Sequence, residues 1–216
     1  MIDFTATLAP RQARSRKTHA RILDATERLL NADPYGEISM PGIAGEAGIS
    51  VGGLYGRFSS RDTLLEAVHA RYQERRDAFL RGRFEAATDS DLATRVEVFV
   101  GTFVELHSKN AGVLRSFIIR HWLAAEGPTE SVLQDVRDHK SQIAEFLCRG
   151  REACLTPTCR SAIRRAVEYV ISISKEQIVV SPDNLDDLRR LDLDQLCRDL
   201  REIAWLMMPE KMKMEI

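Results

Sequence analysis

Two short motifs in the sequence contain side chains of the kinds that enzymes use for catalysis. Glu66 and His69 have the Glu-x-x-His spacing of one half of a di-iron site in a helical bundle. Ser172 and Lys175 have the spacing of a serine nucleophile and its lysine base. Both chemistries need partner motifs, and the chain contains neither a second Glu-x-x-His nor the motifs that accompany a serine–lysine pair. We therefore predict that the chain is not an enzyme and that both motifs are ordinary parts of helices.

The cysteines and histidines are the other candidates for metal chemistry. Cys148, Cys154, Cys159 and Cys197 follow no zinc-ribbon spacing, and none of the five histidines lies at a zinc-site spacing from another. A sensing role for the cysteines stays open, but idle or buried thiols are the simpler interpretation. We predict no metal site and no cofactor.

The composition excludes several broad classes of protein. With 216 residues, 44% of them apolar, the chain is long enough for one or two globular domains with a buried core. No apolar run approaches the ~20 residues of a membrane helix, and the first residues lack the pattern of a secretory signal. We expect a cytoplasmic chain with reduced thiols and no membrane partner.

Basic residues are concentrated in the N-terminal arm. The formal net charge is −1, yet no acidic residue lies between Phe4 and Leu23. The basic residues of this stretch are Arg11, Arg14, Arg16, Lys17 and Arg21. Such a run is often only a solvated tail, but beside a DNA-binding motif it is expected to contact phosphates.

The sequence pattern is helical along most of the chain, so helices must position the candidate residues named above. Apolar side chains recur every three or four residues along most of the chain, and no segment alternates as a strand does. We predict an all-α fold of about nine helices that follow a loose tail at residues 1–13. The expected breaks include residues 33–36 and 181–184. The later helices include residues 130–154, a helix opened by Pro157, and residues 194–208.

Residues 39–58 predict a helix-turn-helix. Ser39 and Ser50 are placed to cap two short helices, and Gly48 between them permits the positive φ of a sharp turn. The apolar positions that would lock the two helices together are Ile43, Ala47, Ile49 and Leu54. In this motif the second helix enters the major groove of DNA. A helical hairpin with a purely structural role is the alternative.

The same segment gives the chain a resemblance to a known family. The residues that carry it are Ile43-Ala44, Ala47-Gly48-Ile49-Ser50, Gly52, Leu54-Tyr55, Phe58, Arg61 and Leu64-Leu65. With the amphipathic helix before them, residues 16–65 resemble the DNA-binding domain of TetR-family transcriptional regulators. The resemblance implies a DNA-binding domain at residues 1–60, with a three-helix helix-turn-helix fold. It also implies a helical ligand-binding and dimerisation domain at residues 61–216.

The resemblance further implies a set of DNA contacts. Ser39 and Tyr55 would bind phosphates, and Arg61 would do so at the start of the fourth helix, where lysine is usual. Arg16 and Lys17 would anchor the first helix to the DNA backbone. The residues on or near the groove-facing side would be Ser50, Val51, Gly52, Gly53 and Arg57.

The predicted recognition helix departs from the family pattern in its glycines and in Arg57, where histidine or an aromatic residue is common. Gly52, Gly53 and Gly56 each cost about 0.5–1 kcal/mol relative to alanine in a helix. Few of its side chains are long enough to reach base edges. We hypothesise that Arg57 and the N-terminal arm supply much of the base or minor-groove reading.

Two C-terminal helices have apolar faces that suit a homodimer. Residues 157–180 and 194–208 would form a four-helix bundle with a second copy. The bundle would place two recognition helices one DNA turn apart, roughly 34–36 Å. The resemblance implies the same assembly, and the alternative is that these faces only complete the monomer core.

Aromatic and histidine side chains of the middle helices are candidates to line an effector pocket. They are Phe99, Phe103, His107, Phe117, His121, Trp122 and Phe146. Because inward positions carry little charge, the expected small-molecule effector is apolar or amphipathic. The alternative is that these rings are plain core.

The sequence thus predicts a DNA-binding transcriptional regulator, a repressor that an effector releases from a partly palindromic operator in double-stranded DNA. Two alternatives stay open. One is a helical-bundle metalloenzyme that uses Glu66 and His69, and the other is a helical protein-interaction module without DNA binding.

Overall fold

The computed structural model describes residues 5–32, 38–122, 126–150, 156–180 and 192–214, and these contain ten α helices and no strand. The first four helices are α1 (Thr5–Ala32), α2 (Met40–Ala47), α3 (Val51–Tyr55) and α4 (Arg61–Ala86). The next three are α5 (Leu92–Lys109), α6 (Ala111–His121) and α7 (Glu130–Cys148). The last are α8 (Pro157–Lys175), continued by a π-helical turn (Glu176–Val180), α9 (Leu193–Met207) and α10 (Glu210–Met214). The predicted all-α class is confirmed.

The chain divides into two compact units, Met1–Glu74 and Arg75–Ile216. In the first unit, α1 to α4 contribute to one apolar core. Its fully buried side chains include Ile22, Ile43, Leu54, Leu64 and Val68. An ion pair also joins two of these helices, since Arg71 of α4 contacts Asp24 and Glu27 of α1.

The second unit is built around α5, α7, α8 and α9, with α8 packed against the other three. Its fully buried side chains include Phe99, Phe103, Ile143, Leu147, Ile163 and Leu200. At the edge of this core, Arg76 forms two hydrogen bonds with the carboxylate of Asp135, at 3.1 and 2.9 Å.

Several predicted element limits are wrong. Helix α1 begins at Thr5, so the predicted loose tail at residues 1–13 is helical from there on. The prediction relied on an apolar stripe, which this stretch lacks, whereas alanine, arginine and glutamine extend a helix without one. Helix α7 ends at Cys148, six residues before the predicted end, and α10 was not predicted.

Other predicted features of the helices are confirmed, or they fall on residues that the structure does not describe. Pro157 opens α8, as predicted. The buried stripe of α9 consists of Leu196, Leu200 and Ala204, which lie four residues apart, so the predicted apolar face of this helix is present. The predicted breaks at 33–36 and 181–184 and the thiol of Cys154 lie outside the described residues.

Among the described helices, none combines the length and the apolar character that a membrane crossing requires.

Candidate nucleic-acid interface

The turn between α2 and α3 is made by Gly48 in the left-handed conformation, with φ 63° and ψ 44°. The N–H of Gly48 donates to the carbonyl of Gly45, and the N–H of Ile49 donates to the carbonyl of Ala44, both at 3.0 Å. Glycine adopts this conformation without the steric cost that a Cβ atom brings. The predicted sharp turn of the helix-turn-helix is therefore confirmed in its geometry.

Two serine hydroxyls fix the beginnings of the helices on either side of this turn. Ser39 Oγ accepts a hydrogen bond from the N–H of Gly42 at 3.2 Å, and Ser50 Oγ accepts one from the N–H of Gly53 at 3.1 Å. Both predicted caps are confirmed. Because each hydroxyl acts as an acceptor in its cap, its own proton stays available for donation to another group, such as a phosphate.

The outer face of α3 is small and exposed. Leu54 is fully buried and anchors the helix, whereas Val51 and Tyr55 are 39% and 51% exposed. A Cβ atom added at Gly52 would meet nothing within 4 Å. This face therefore presents little more than backbone, one valine and one tyrosine to whatever approaches it.

Arg57 lies just beyond the C-terminal end of α3 and folds back onto it. Its Nη1 donates to the carbonyl of Gly53 at 3.1 Å, and the side chain is exposed. The guanidinium is thus held beside the outer face of the helix, with its other donors available.

Exposed cations lie at the beginning of α4 and along α1. Ser60 and Thr63 cap α4 reciprocally, with each backbone N–H 3.1 Å from the other side chain's hydroxyl oxygen. Arg61 is the first residue of that helix. Arg16, Lys17 and Arg61 are exposed and form no ion pair with any described residue. They can therefore pair with an external anion without first breaking an internal contact.

Arg21 has a role that the sequence did not predict. Its Nη2 donates to the carbonyl of Ala47 and, at 3.2 Å, to that of Gly48. In the sequence, its charge marked it only as one of the five basic residues of the N-terminal arm. The side chain stays exposed, and its place directly before the buried pair Ile22-Leu23 was the only signal that it contacts another helix.

The predicted pocket residues differ in their surroundings. Phe99, Phe103, His107 and Phe146 are all at most 5% exposed, and the Phe146 ring stacks on Phe84 at 4.2 Å. The other predicted rings, Phe117, His121 and Trp122, are half-buried or exposed. The first four are thus packed as core in this conformation, and their role as effector contacts stays a prediction.

Within this core, His107 is an unusual polar side chain. Its Nδ1 lies 2.9 Å from the hydroxyl of Ser174, and it is 5% exposed. Burial, together with the nearby charge of Lys175, lowers the pKa of His107 from 6.5 to about 4. The imidazole is therefore neutral at pH 7.

The motifs with possible catalytic or metal chemistry are spread over separate surroundings. On α4, His69 is 4% exposed whereas Glu66 is exposed. No group of three or more potential metal ligands occurs in the part of the chain that the structure describes. Lys175 lies over the ring of Trp122, with its Nζ 5.9 Å from the centroid. Cys148, Cys159 and Cys197 are free thiols, and burial raises the pKa of Cys197.

Sequence comparison identifies the N-terminal segment. Residues 22–68 match the model of a family described as bacterial regulatory proteins, tetR family. This range contains the C-terminal part of α1, the whole helix-turn-helix and the beginning of α4. No curated protein matches the chain in sequence.

Solved structures share the fold over most of the chain. A transcriptional regulator of the TerR/AcrR family from Aquifex aeolicus VF5 aligns with a TM-score of 0.59 and 18% identity, over 88% of this chain and 99% of that chain. A TetR-like transcriptional regulator from Rhodococcus sp. RHA1 aligns with a TM-score of 0.53 and 20% identity, over 87% and 93%. A second TetR regulator from that organism has a TM-score of 0.50 and 16% identity, over 91% and 98%. The N-terminal segment of this chain thus matches the TetR family in sequence, and the chain shares its fold with solved regulators of that kind.

Proposed function

We propose that this chain is a transcriptional repressor that binds a partly palindromic operator as a homodimer and leaves it when a small-molecule effector binds. The observation that supports DNA binding most directly is the outer face of α3. It is exposed, it follows a left-handed glycine turn, and its unit carries the exposed cations Arg61, Arg16 and Lys17, which pair with no described carboxylate. A helix held in this way fits the major groove, while cations of the same unit fit the phosphates.

We assign DNA contacts to both capping serines, to the outer face of α3 and to the neighbouring cations. The proposed contact residues are Arg16, Lys17, Ser39, Ser50, Val51, Gly52, Gly53, Tyr55, Arg57 and Arg61. In this assignment residues 1–60 bind DNA, and residues 61–216 bind the effector and form the dimer.

The helical form of the arm changes what it is expected to contact. An α helix with its side chains is about 10–12 Å wide. The minor groove is only about 6 Å wide, so the helix cannot enter it. We therefore propose that the exposed cations Arg16 and Lys17 of α1 bind phosphates beside the operator, and that base reading is left to α3 and Arg57.

The dimer is proposed to form through α8 and α9 with the π-helical turn. Each helix leaves a large apolar side chain in solvent, since Tyr169 is 50% exposed and Leu206 is 76% exposed. A second copy related by a two-fold axis would bury both patches against the same patches of its partner. Leu193 of α9 and Val180 of the π-helical turn are also exposed, at 38% and 41%, whereas the fully buried apolar side chains of α8 and α9 complete the monomer core.

Replacing Leu206 with glutamate should weaken the dimer. A charge placed in an apolar interface must lose water without gaining a partner, so we expect the dimer dissociation constant to rise about tenfold or more. Sedimentation over a concentration series measures it. Met214→Glu is the matched control, because Met214 is 78% exposed but lies outside the proposed interface. Equal effects of the two changes would contradict the α8–α9 interface.

The proposed effector is apolar or amphipathic and acts by shifting the equilibrium between two arrangements of the recognition helices. Helix α4 is the natural link, because it begins at the DNA-contacting Arg61 and continues into the second unit. The proposal places the protein in the cytoplasm and assigns it no enzymatic activity.

The two alternatives make different demands on the structure. A metalloenzyme would need Glu66 and His69 to reach one metal ion, and these side chains differ sharply in exposure. An interaction module would use residues 39–58 only for packing, which does not explain why Val51 and Tyr55 are exposed. Both observations favour the DNA-binding proposal.

Selection from a random double-stranded DNA library tests this function. We expect the chain to select a duplex with two related half-sites about one helical turn apart. Its affinity for that duplex should fall steeply as salt rises, because phosphate contacts release counterions. Failure to enrich any sequence, together with salt-independent binding, would contradict the proposal.

Gly52→Ala should stabilise the fold and at the same time weaken operator binding. The added methyl group has open space, so the helix should gain about 0.5–1 kcal/mol of stability. If α3 approaches the bases closely at this position, the methyl group should reduce operator affinity about tenfold, a cost of about 1.4 kcal/mol.

Gly82→Ala is the control for this change, because Gly82 is also helical, exposed and open, but it lies in the second unit. It should give the same gain in thermal stability with unchanged DNA affinity. Undiminished operator affinity in Gly52→Ala would contradict the close approach.

A further inference from the structure

One arginine of α1 holds the turn that orients the recognition helix. Both contacts of Arg21 come from a single nitrogen, Nη2, which donates to the carbonyls of Ala47 and Gly48. These carbonyls lie at the C-terminal end of α2, where backbone acceptors have no partner inside the helix. A positive charge is also favourable there because of the helix dipole.

The same arginine closely approaches the glycine at the centre of the turn. A Cβ atom at Gly48 would lie 2.9 Å from Arg21 Nη2. Gly48 therefore serves two purposes, since it adopts a positive φ and also leaves room for the guanidinium. The turn and the arginine fit each other in this arrangement, and the arginine contacts the backbone from which α3 begins.

Helix α1 is itself held in place by a second contact close to this one. Arg71 of α4 donates to the carboxylate of Asp24 at 2.7 Å and to that of Glu27 at 3.1 Å. Asp24 lies three residues after Arg21, so the two contacts are less than one helical turn apart. Arg21 thus ties the recognition turn to a part of α1 that α4 already fixes.

We propose that Arg21 is a positioning residue for sequence-specific DNA binding and does not itself bind a phosphate. It sets the orientation of α3 through the Ala47 and Gly48 carbonyls. This inference rests on the proposed function. A phosphate contact contributes to every DNA complex, specific or not, and adds to the salt dependence. A positioning contact matters only where the bases are read.

Arg21→Met tests this distinction, because methionine keeps the aliphatic stem and the helix propensity but removes all the donors. The probes are the duplex that the wild-type chain selects from a random library and an unrelated duplex of equal length. We expect Arg21→Met to lower affinity for the selected duplex about tenfold, the effect of losing hydrogen bonds to a charged group. Affinity for the unrelated duplex and its salt dependence should not change.

Two control variants separate this role from the alternatives. Lys17→Ala removes an exposed cation one helical turn away. It should lower the affinity for both duplexes and reduce the slope of log K against log salt by about 0.9. Arg28→Ala removes the exposed ion pair between α1 and Glu46 of α2 and should change neither affinity. Arg21→Lys should recover most of the selected-duplex affinity, because one ammonium can donate to both carbonyls.

The outcomes are distinct. If the wild-type chain selects no sequence, the proposed function fails and the inference fails with it. If a sequence is selected but Arg21→Met weakens both duplexes and lowers the salt slope, Arg21 is a phosphate contact and the inference alone is overturned. The inference is also overturned if Arg21→Met binds as the wild type does, or if it fails to fold while Arg21→Lys folds and binds normally.

Discussion

Replacing Phe103 with alanine should lower the free energy of unfolding by about 3–5 kcal/mol. Its side chain is 1% exposed, and three rings surround it. The centroid of Phe103 lies 5.4 Å from Phe99, 5.8 Å from His107 and 5.5 Å from His139. Truncation would remove these contacts and leave a cavity that a rigid helical core refills only in part. Denaturant unfolding at one fixed protein concentration measures the change.

This prediction also separates two interpretations of the same residue. As a lining residue of an open effector pocket, Phe103 would already face empty space, and its truncation would cost little. Phe117→Ala is the control. Because that ring is half-buried, its truncation should lower the free energy of unfolding clearly less. A loss below about 1 kcal/mol for Phe103→Ala would contradict a packed core at this position and favour the pocket.

The parts of the DNA-binding unit that could be predicted are those set by neighbouring residues. A left-handed turn depends on one glycine, and a helix cap depends on a hydroxyl three residues from the N–H that it accepts from. The turn and both helix starts could therefore be predicted from Gly48, Ser39 and Ser50 without any knowledge of the fold. The all-α class followed in the same way from apolar periodicity.

The contact of Arg21 could not be predicted because it joins residues 26 and 27 positions apart in the chain. A basic residue near other basic residues is typical of a solvated arm, and nothing local distinguishes the one that contacts another helix. The same limit applies to Arg71, whose partners Asp24 and Glu27 are more than forty residues away. Long charged side chains reach partners that only the packing of helices brings close.

The aromatic residues of the second unit show a different limit. Periodicity correctly predicted that Phe99 and Phe103 face inward, but an inward ring can line a cavity or fill it. The difference depends on neighbours from other helices, such as Phe84 against Phe146. Which rings an effector would touch is therefore a question for ligand binding.

The unfolding free energy should fall as the pH is lowered from 6.5 towards 4, in part because of His107. In the folded chain the pKa of this imidazole is lowered to about 4, chiefly by burial. In the unfolded chain it has the ordinary value of 6.5. Between these values the unfolded chain binds a proton that the folded chain excludes, so acid favours unfolding. The contribution is fully present above pH 6.5 and is lost by about pH 4, a change of about 3 kcal/mol.

Other groups near His107 also titrate in acid. A variant must therefore isolate the contribution of His107 to the pH dependence of the unfolding free energy. Burial also lowers the pKa of His139, to about 3. His107→Gln keeps a hydrogen-bonding group beside Ser174 but cannot be protonated in this range. Its unfolding free energy should depend less on pH than that of the wild type, with the difference developing between pH 6.5 and 4. If the two chains lose stability in parallel over this range, His107 is not held neutral by the core.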